Sequence, residues 1–140
     1  MIVIDANVFV YAAGADHPLR PSCVGLLRAV AEGRVEATTT APTLQEFVHV
    51  ASRRGRRKAA LGAARAYLDI LQPLIPIGDA EMRDAIAMLG SSSIEPSDAL
   101  LAAAVSRRSL SLVTTDARLA RHLGPSAATP DATVRALAGA

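Results

Sequence analysis

Four carboxylates recur in one grammatical position along this chain. Asp5 follows an apolar N-terminal run, Glu46 stands early in a helical stretch, Asp98 lies in the first turn of an apolar helix, and Asp116 follows a late apolar run. If those runs are strands of a parallel sheet, the acids occupy strand-to-helix turns, which gather along one sheet edge, where ligands bind in open α/β folds. Neighbouring carboxylates raise one another's pKa and resist joint ionisation. A divalent cation removes that conflict, and Mg²⁺ characteristically takes a few carboxylate oxygens while keeping several waters. The spacing therefore points to a metal ion held by Asp5, Glu46, Asp98 and Asp116.

Each acid also has a purely structural explanation. Asp5 and Asp116 suit helix N-caps, Glu46 suits the reaching-back member of a capping box opened by Thr43, and Asp98 suits the first turn, where the helix dipole favours an acid. Two features weigh against four separate caps. Asp5 follows a strand and Asp98 precedes a helix that both read as buried, and a desolvated acid without a partner is costly. Asn7 and Thr115 stand beside Asp5 and Asp116, where they either orient ligands and waters or bond to backbone at turns. Asp79 reads as a structural cap.

The elements that position these residues alternate between strand and helix. Met1 to Ile4 is a short β-branched run with no polar interruption, the pattern of a central strand in a parallel sheet. Helices are predicted over about Val8–Ala13, ended by Gly14, and Pro21–Glu32, closed by Gly33. Val35–Thr40 reads as a strand, with a helix from Thr43 to about Arg53 after it. Another helix covers about Ala59–Leu71 with Leu61, Ala64, Leu68 and Leu71 on one side. Pro73–Ile77 reads as a short or edge strand because of its prolines. Asp79 opens a helix with Met82, Ile86 and Leu89 at helical spacing, followed by a Gly90–Ser93 loop. The stretch from Pro96 to Arg107 is almost wholly apolar after Asp98 and so reads as a buried helix. Leu110–Val113 is a strand, and Thr133–Leu137 is either an edge strand or a helix. This alternation predicts a three-layer α/β/α sandwich with a mainly parallel sheet. At 140 residues, with no repeat or linker, the chain reads as one domain over 1–140 that buries roughly 70% of its unfolded surface.

Composition excludes several classes. The lone Cys23 leaves no internal disulfide and sits in a helical apolar pattern, which suits a core residue in a reducing cytoplasm. Nothing resembles an export signal or a membrane span. Aromatics are confined to Phe9, Tyr11, Phe47 and Tyr67, too few for a base-stacking platform. No phosphate-cradling glycine loop is present, Ser91–Ser93 lacks a nucleophile-elbow context, and His17, His49 and His122 lack metal-ligand spacing. The net charge is only +2, yet every basic residue except Lys58 is arginine, the side chain that makes bidentate contacts to phosphate. Arg53, Arg54, Arg56, Arg57 and Lys58 form the one basic block, read as a loop that either meets a nucleic-acid backbone or is simply solvated.

The stretches Asp5-Ala6-Asn7, Leu44-Gln45-Glu46-Phe47, Ser97 to Ala103 and Leu112-Val113-Thr114-Thr115-Asp116 resemble, in order, the acidic motifs of PIN-domain ribonucleases, in size closest to the VapC-type toxins of bacterial toxin–antitoxin modules. The resemblance implies an endoribonuclease in which Asp5, Glu46, Asp98 and Asp116 hold Mg²⁺ or Mn²⁺, assisted by Asn7 and Thr115. It also implies an RNA substrate such as tRNA or rRNA, a VapB-type antitoxin in the acid-lined groove, and a homodimer. Many proteins of this kind carry another acid soon after the last motif. Here Asp116 is followed by Ala117-Arg118-Leu119, which leaves open whether one metal ion or two are held. Two other readings are a non-catalytic RNA- or protein-binding module, with the acids as caps, and a metal-dependent phosphohydrolase. An aspartyl-phosphate enzyme would want a second Asp where Asn7 stands.

Overall fold

The computed structural model describes residues 1–139. Its centre is strand β1 (Ile2–Ile4), flanked by β2 (Ala37–Thr38) and β3 (Ser111–Val113), with β4 (Ala127–Ala128) beyond β3. All pairings are parallel, and the order is β2-β1-β3-β4. Helices α1 (Ala6–Ala13), α2 (Arg20–Ala31), α3 (Ala41–Arg53), α4 (Arg57–Ile70), α5 (Asp79–Ser91), α6 (Pro96–Arg107), α7 (Ala117–Leu123) and α8 (Pro130–Ala138) fill the connections. None is long and apolar enough to cross a membrane.

Strand alternation explains the layers. Successive residues of β1 point to opposite sheet faces, and Val3 and Ile4 accordingly belong to two different apolar clusters. Ile4 joins Val8, Phe9, Leu26, Phe47 and Leu71, from α1 to α4. Val3 joins Leu101, Val105, Leu112 and Leu119, where α6 and α7 cover the other face. The predicted α/β/α sandwich is what forms. Helix α6 is buried at Ala99 and along Leu101–Val105, as its unbroken apolar sequence requires, and Cys23 lies wholly inside the core.

Several local expectations need correction. Helix α3 begins at Ala41 with Thr40 as its N-cap: the Thr40 hydroxyl accepts from Thr43 N at 3.1 Å and pairs with the Thr43 hydroxyl at 2.7 Å. Thr43 is thus the third helical residue, and Glu46 is released from the expected capping box. Only Ala37–Thr38 of Val35–Thr40 pairs with β1, and the hydroxyls of Thr38 and Thr39 go to tertiary bonds. Thr38 donates to Pro73 O and Thr39 to Ile4 O, both at 2.7 Å. Pro73–Ile77 contributes one bridge, Thr40 to Ile75, rather than a strand. Gly78, not Asp79, caps α5, with Glu81 accepting from Gly78 N at 3.0 Å, and α5 runs through Gly90 to Ser91. Arg57 and Lys58 belong to α4, so the loop within the basic block shrinks to Arg54-Gly55-Arg56, with Gly55 at φ +75°. The tail adopts the helical alternative as α8, preceded by a two-residue strand that propensity did not signal.

The packed sides of α4 and α5 also differ from the apolar stripes. Ala60, Ala63, Ala64, Tyr67 and Leu71 face the core, whereas Leu61 and Leu68 are exposed. On α5, Glu81 and Ala85 are buried, and Met82 and Ile86 are the residues left outside. The aromatic core is compact, with the Phe9 ring 4.7 Å from Tyr67 and 5.8 Å from Phe47 between centroids. Phe9→Ala is expected to cost about 3–5 kcal/mol in urea unfolding, the usual result for a truncated, fully buried phenylalanine. A loss below about 1 kcal/mol would show that Phe9 does not anchor this core.

Candidate active site

Every residue of the acidic set stands at the carboxyl edge of the sheet or on a helix that starts there. Asp5 follows β1 directly and is only 3% exposed. Its Oδ1 accepts from Ala6 N at 2.8 Å, which caps α1, and its Oδ2 accepts from the Thr114 hydroxyl at 2.6 Å. The register that pairs Ile4 with Val113 puts the next residues, Asp5 and Thr114, side by side. Asp116 caps α7 through Arg118 N and Leu119 N, at 2.8 and 3.2 Å, and its own amide donates to the Thr114 hydroxyl at 3.0 Å. Thr114 therefore links the two aspartates.

Glu46 lies in the second turn of α3, half-buried, and faces α6, where the Ser97 hydroxyl lies 3.4 Å from its Oε1. Asp98 occupies the first turn of α6. Its carboxyl is pushed up to about 7, first by burial and then by the charges of Asp5, Asp116, Glu46 and Glu95. Burial likewise raises Asp5, which the Thr114 and Ala6 hydrogen bonds partly offset and Glu46 and Asp116 reinforce. The four acids thus share one electrostatic environment. Capping and clustering are compatible, since Asp5 and Asp116 do both.

Around this cluster lie two clefts. One, of about 340 Å³, is lined by Ser92, Ser93, Glu95, Asp98 and Asp116 together with Arg118, Arg121 and His122 of α7. The other, of about 420 Å³, runs between α3, α5 and α6 past Glu46, His49, Met82, Leu89, Ser97 and Leu100. Among the described residues, no three of the acidic or imidazole side chains are drawn together as a ready-made chelate. The donor set is nonetheless all carboxylate oxygen, with repulsion that a cation would relieve. That chemistry suits Mg²⁺ or Mn²⁺ bound partly through water.

The motifs singled out in sequence are differently distributed. Asp5, Glu46 and Asp116 lie near enough to Asp98 for their charges to act on it, without three of the acids converging on one point among the described residues. Asn7 is half-buried in the first turn of α1, and Thr115 is half-buried without a side-chain hydrogen bond among the described residues. Arg53 to Lys58 are exposed at the α3–α4 turn and line neither cleft; along α3, Arg53 is roughly 10 Å from Glu46 in axial rise. Sequence reasoning missed Thr114, Ser97 and Glu95. For Thr114 a signal existed in strand alternation, but choosing between Thr114 and Thr115 needed the β1–β3 register.

The sequence profile of the PIN domain matches residues 2–123. The chain is also 40% identical over 119 residues to Ribonuclease VapC7 of Mycobacterium tuberculosis, spanning 83% of this chain and 82% of that protein. The chain belongs to the PIN-domain family, among the VapC ribonucleases. Ribonuclease VapC13 of the same organism is 31% identical over 101 residues, 71% of this chain and 77% of that protein. The fold is shared more widely. A solved toxin-antitoxin complex from Klebsiella pneumoniae superposes with a TM-score of 0.66 at 15% identity, covering 93% of this chain and 98% of that one.

The raised Asp98 carboxyl has a defined pH consequence for the metal-free PIN domain. A group that binds its proton more tightly folded than unfolded stabilises the fold at low pH, and the contribution is lost as pH rises through the folded value. Melting temperature is therefore expected to fall between about pH 4 and pH 7, and Asp98→Asn should flatten most of that slope. A wild-type profile that rises across this window would contradict the placement of Asp98 among the other acids.

Proposed function

We propose that this VapC-type ribonuclease is a Mg²⁺- or Mn²⁺-dependent endoribonuclease and the toxin of a type II toxin–antitoxin pair, with the whole chain acting as one nuclease domain. The observation that carries the reading is the placement of Asp5, Glu46, Asp98 and Asp116 at the carboxyl edge of the sheet, near enough that burial and neighbouring charges raise the Asp98 carboxyl. Asp5, Asp98 and Asp116 would hold the ion, with Glu46 at its outer side. Bound there, a divalent cation supplies Lewis-acid polarisation of the phosphodiester and a lowered pKa for the attacking water.

The side chains of this chain do the rest. Glu46, with no shared cap to satisfy and with Ser97 beside it, takes the proton of the attacking water. Thr114 and the Ala6 amide hold the Asp5 carboxylate in one orientation, so that its ligand geometry is preorganised. Asn7 and Thr115 orient water at the margin of the cluster. The exposed Arg53, Arg54, Arg56, Arg57 and Lys58 meet the RNA backbone at a distance from the cleavage point. A tRNA or rRNA substrate and a cytoplasmic place of action follow from the same reading. The exposed apolar residues Met82 and Ile86 on α5, and Leu61 and Leu68 on α4, support protein partners: a VapB-type antitoxin and a second copy of the chain.

Purified protein should cut total tRNA or rRNA into discrete fragments with Mg²⁺ or Mn²⁺, and EDTA should stop it. Asp5→Asn and Asp98→Asn should each lower kcat/KM by more than about a hundredfold, beyond the 10–100-fold typical of residues that merely orient a ligand. Full activity in either variant would overturn the assignment. RNA binding with no turnover by the wild type would instead favour the non-catalytic binding module. Thr114→Val is expected to weaken Mn²⁺ binding about 10–100-fold by titration calorimetry while leaving the fold intact; unchanged affinity would remove Thr114 from the site.

A further inference from the structure

RNA lying across four carboxylates meets repulsion from each of them, and the ribonuclease reading above, on which this inference rests, requires something fixed in the protein to oppose it. The cleft of about 340 Å³ provides a candidate, because it is lined by Asp98 and Asp116 and also by Arg118, Arg121 and His122. Positions 118, 121 and 122 fall on one face of a helix. Leu119, 1% exposed, anchors α7 in the apolar cluster that includes Leu101 and Val105 of α6. The basic residues are thereby held at the cleft rather than on a free surface.

Both guanidinium groups are uncommitted. The ion pairs among the described residues use Arg34, Arg107, Arg108 and Arg135, and neither Arg118 nor Arg121 takes part in one, although Glu95, Asp98 and Asp116 line the same cleft. Arg118 is also tied in position by its backbone, whose N–H donates to Asp116 Oδ1 at 2.8 Å. That bond does not depend on the side chain, which is left exposed with its fork free. A planar, permanently charged fork beside an acidic edge suits an anion with several oxygens, and RNA offers one at every nucleotide.

We infer that the α7 cleft is a binding subsite for the RNA phosphate adjacent to the one that is cleaved, with Arg118 and Arg121 as its ligands and His122 at its edge. The subsite lies beside the acids themselves. The Arg53–Lys58 block, which lines neither cleft, can only extend the contact farther along the strand.

The test uses the Asp98→Asn protein with Mg²⁺, so that a short fluorescent single-stranded RNA is bound without being cut. Fluorescence anisotropy then compares it with the same protein carrying Arg118→Ala and Arg121→Ala, across a range of salt concentrations. The inference expects Kd to rise about tenfold or more, and the slope of log Kd against log salt to fall by about 0.7, the single-strand value for one lost phosphate contact. Arg118→Gln with Arg121→Gln should give the same result with side-chain bulk retained. Mn²⁺ affinity by calorimetry should hold or tighten in both pairs, because two positive charges have been removed from beside the carboxylates. Unchanged Kd and slope would overturn the subsite. A higher Kd with an unchanged slope, or weakened Mn²⁺ binding, would overturn it too, because either marks a structural effect. Cleavage by the wild-type protein is measured in parallel. If wild type cuts RNA and the arginine pair does not matter, the subsite alone fails; if wild type does not cut, the ribonuclease reading fails with it.

Discussion

Gathering like charges at the carboxyl edge of a parallel sheet is the constraint that shapes this molecule. β1 runs through the middle of the sheet, so the residue after it cannot reach bulk water without leaving the fold. Asp5 stays because each of its carboxylate oxygens has a donor, one from the α1 backbone and one from Thr114 on the neighbouring strand. A buried carboxylate with both oxygens satisfied is tolerable, whereas an unpaired one would take up a proton. The β1–β3 register that supplies Thr114 also places Asp116 two residues beyond it, and Thr40, in the layer next to Asp5, starts the helix that carries Glu46. A one-residue slip in either pairing would move these groups to the opposite sheet face.

The electrostatics follow from that placement. The Asp98 carboxyl is raised by burial and by the charges of four other acids, including Glu95 just ahead of its own helix. Burial is the larger cause, and the neighbouring charges add to it. Capping occupies one oxygen of Asp116 and leaves the other free for a further partner.

The cations of the chain are divided in the same physical terms. Arg107 and Arg108 are spent inside the structure, pairing with Asp84 and Glu81 of α5 and so holding α5 against α6. Burial at the Arg108 pair is partial, and the hydrogen bonds from Gly78 and Arg108 hold the Glu81 carboxyl below the usual range. Arg118 and Arg121 are left unpaired beside the acidic edge, and the basic turn between α3 and α4 is left in solvent. Met82 and Ile86 remain outside because α5 turns its smaller Ala85 and its paired Glu81 inward.

Much of the fold was legible because its signals are local. A β-branched N-terminal run, an apolar helix after Pro96 and the alternation of strand and helix determined the layers, and four acids near helix starts indicated which sheet edge would gather them. What sequence could not determine depended on partners distant along the chain. The Thr43 capping box failed because Thr40, held by the sheet, could cap first. Apolar stripes on α4 and α5 misled because spacing identifies a face but not what covers it. β4 has only two alanines and exists because β3 offers it an edge. Thr114 rather than Thr115 reaches Asp5 because strand register, a property of two segments together, decides which side chain points at which neighbour. Types and order of the candidate site residues were therefore written in the chain, while their mutual orientation came from tertiary pairing, where a hydrogen bond joins residues more than a hundred positions apart.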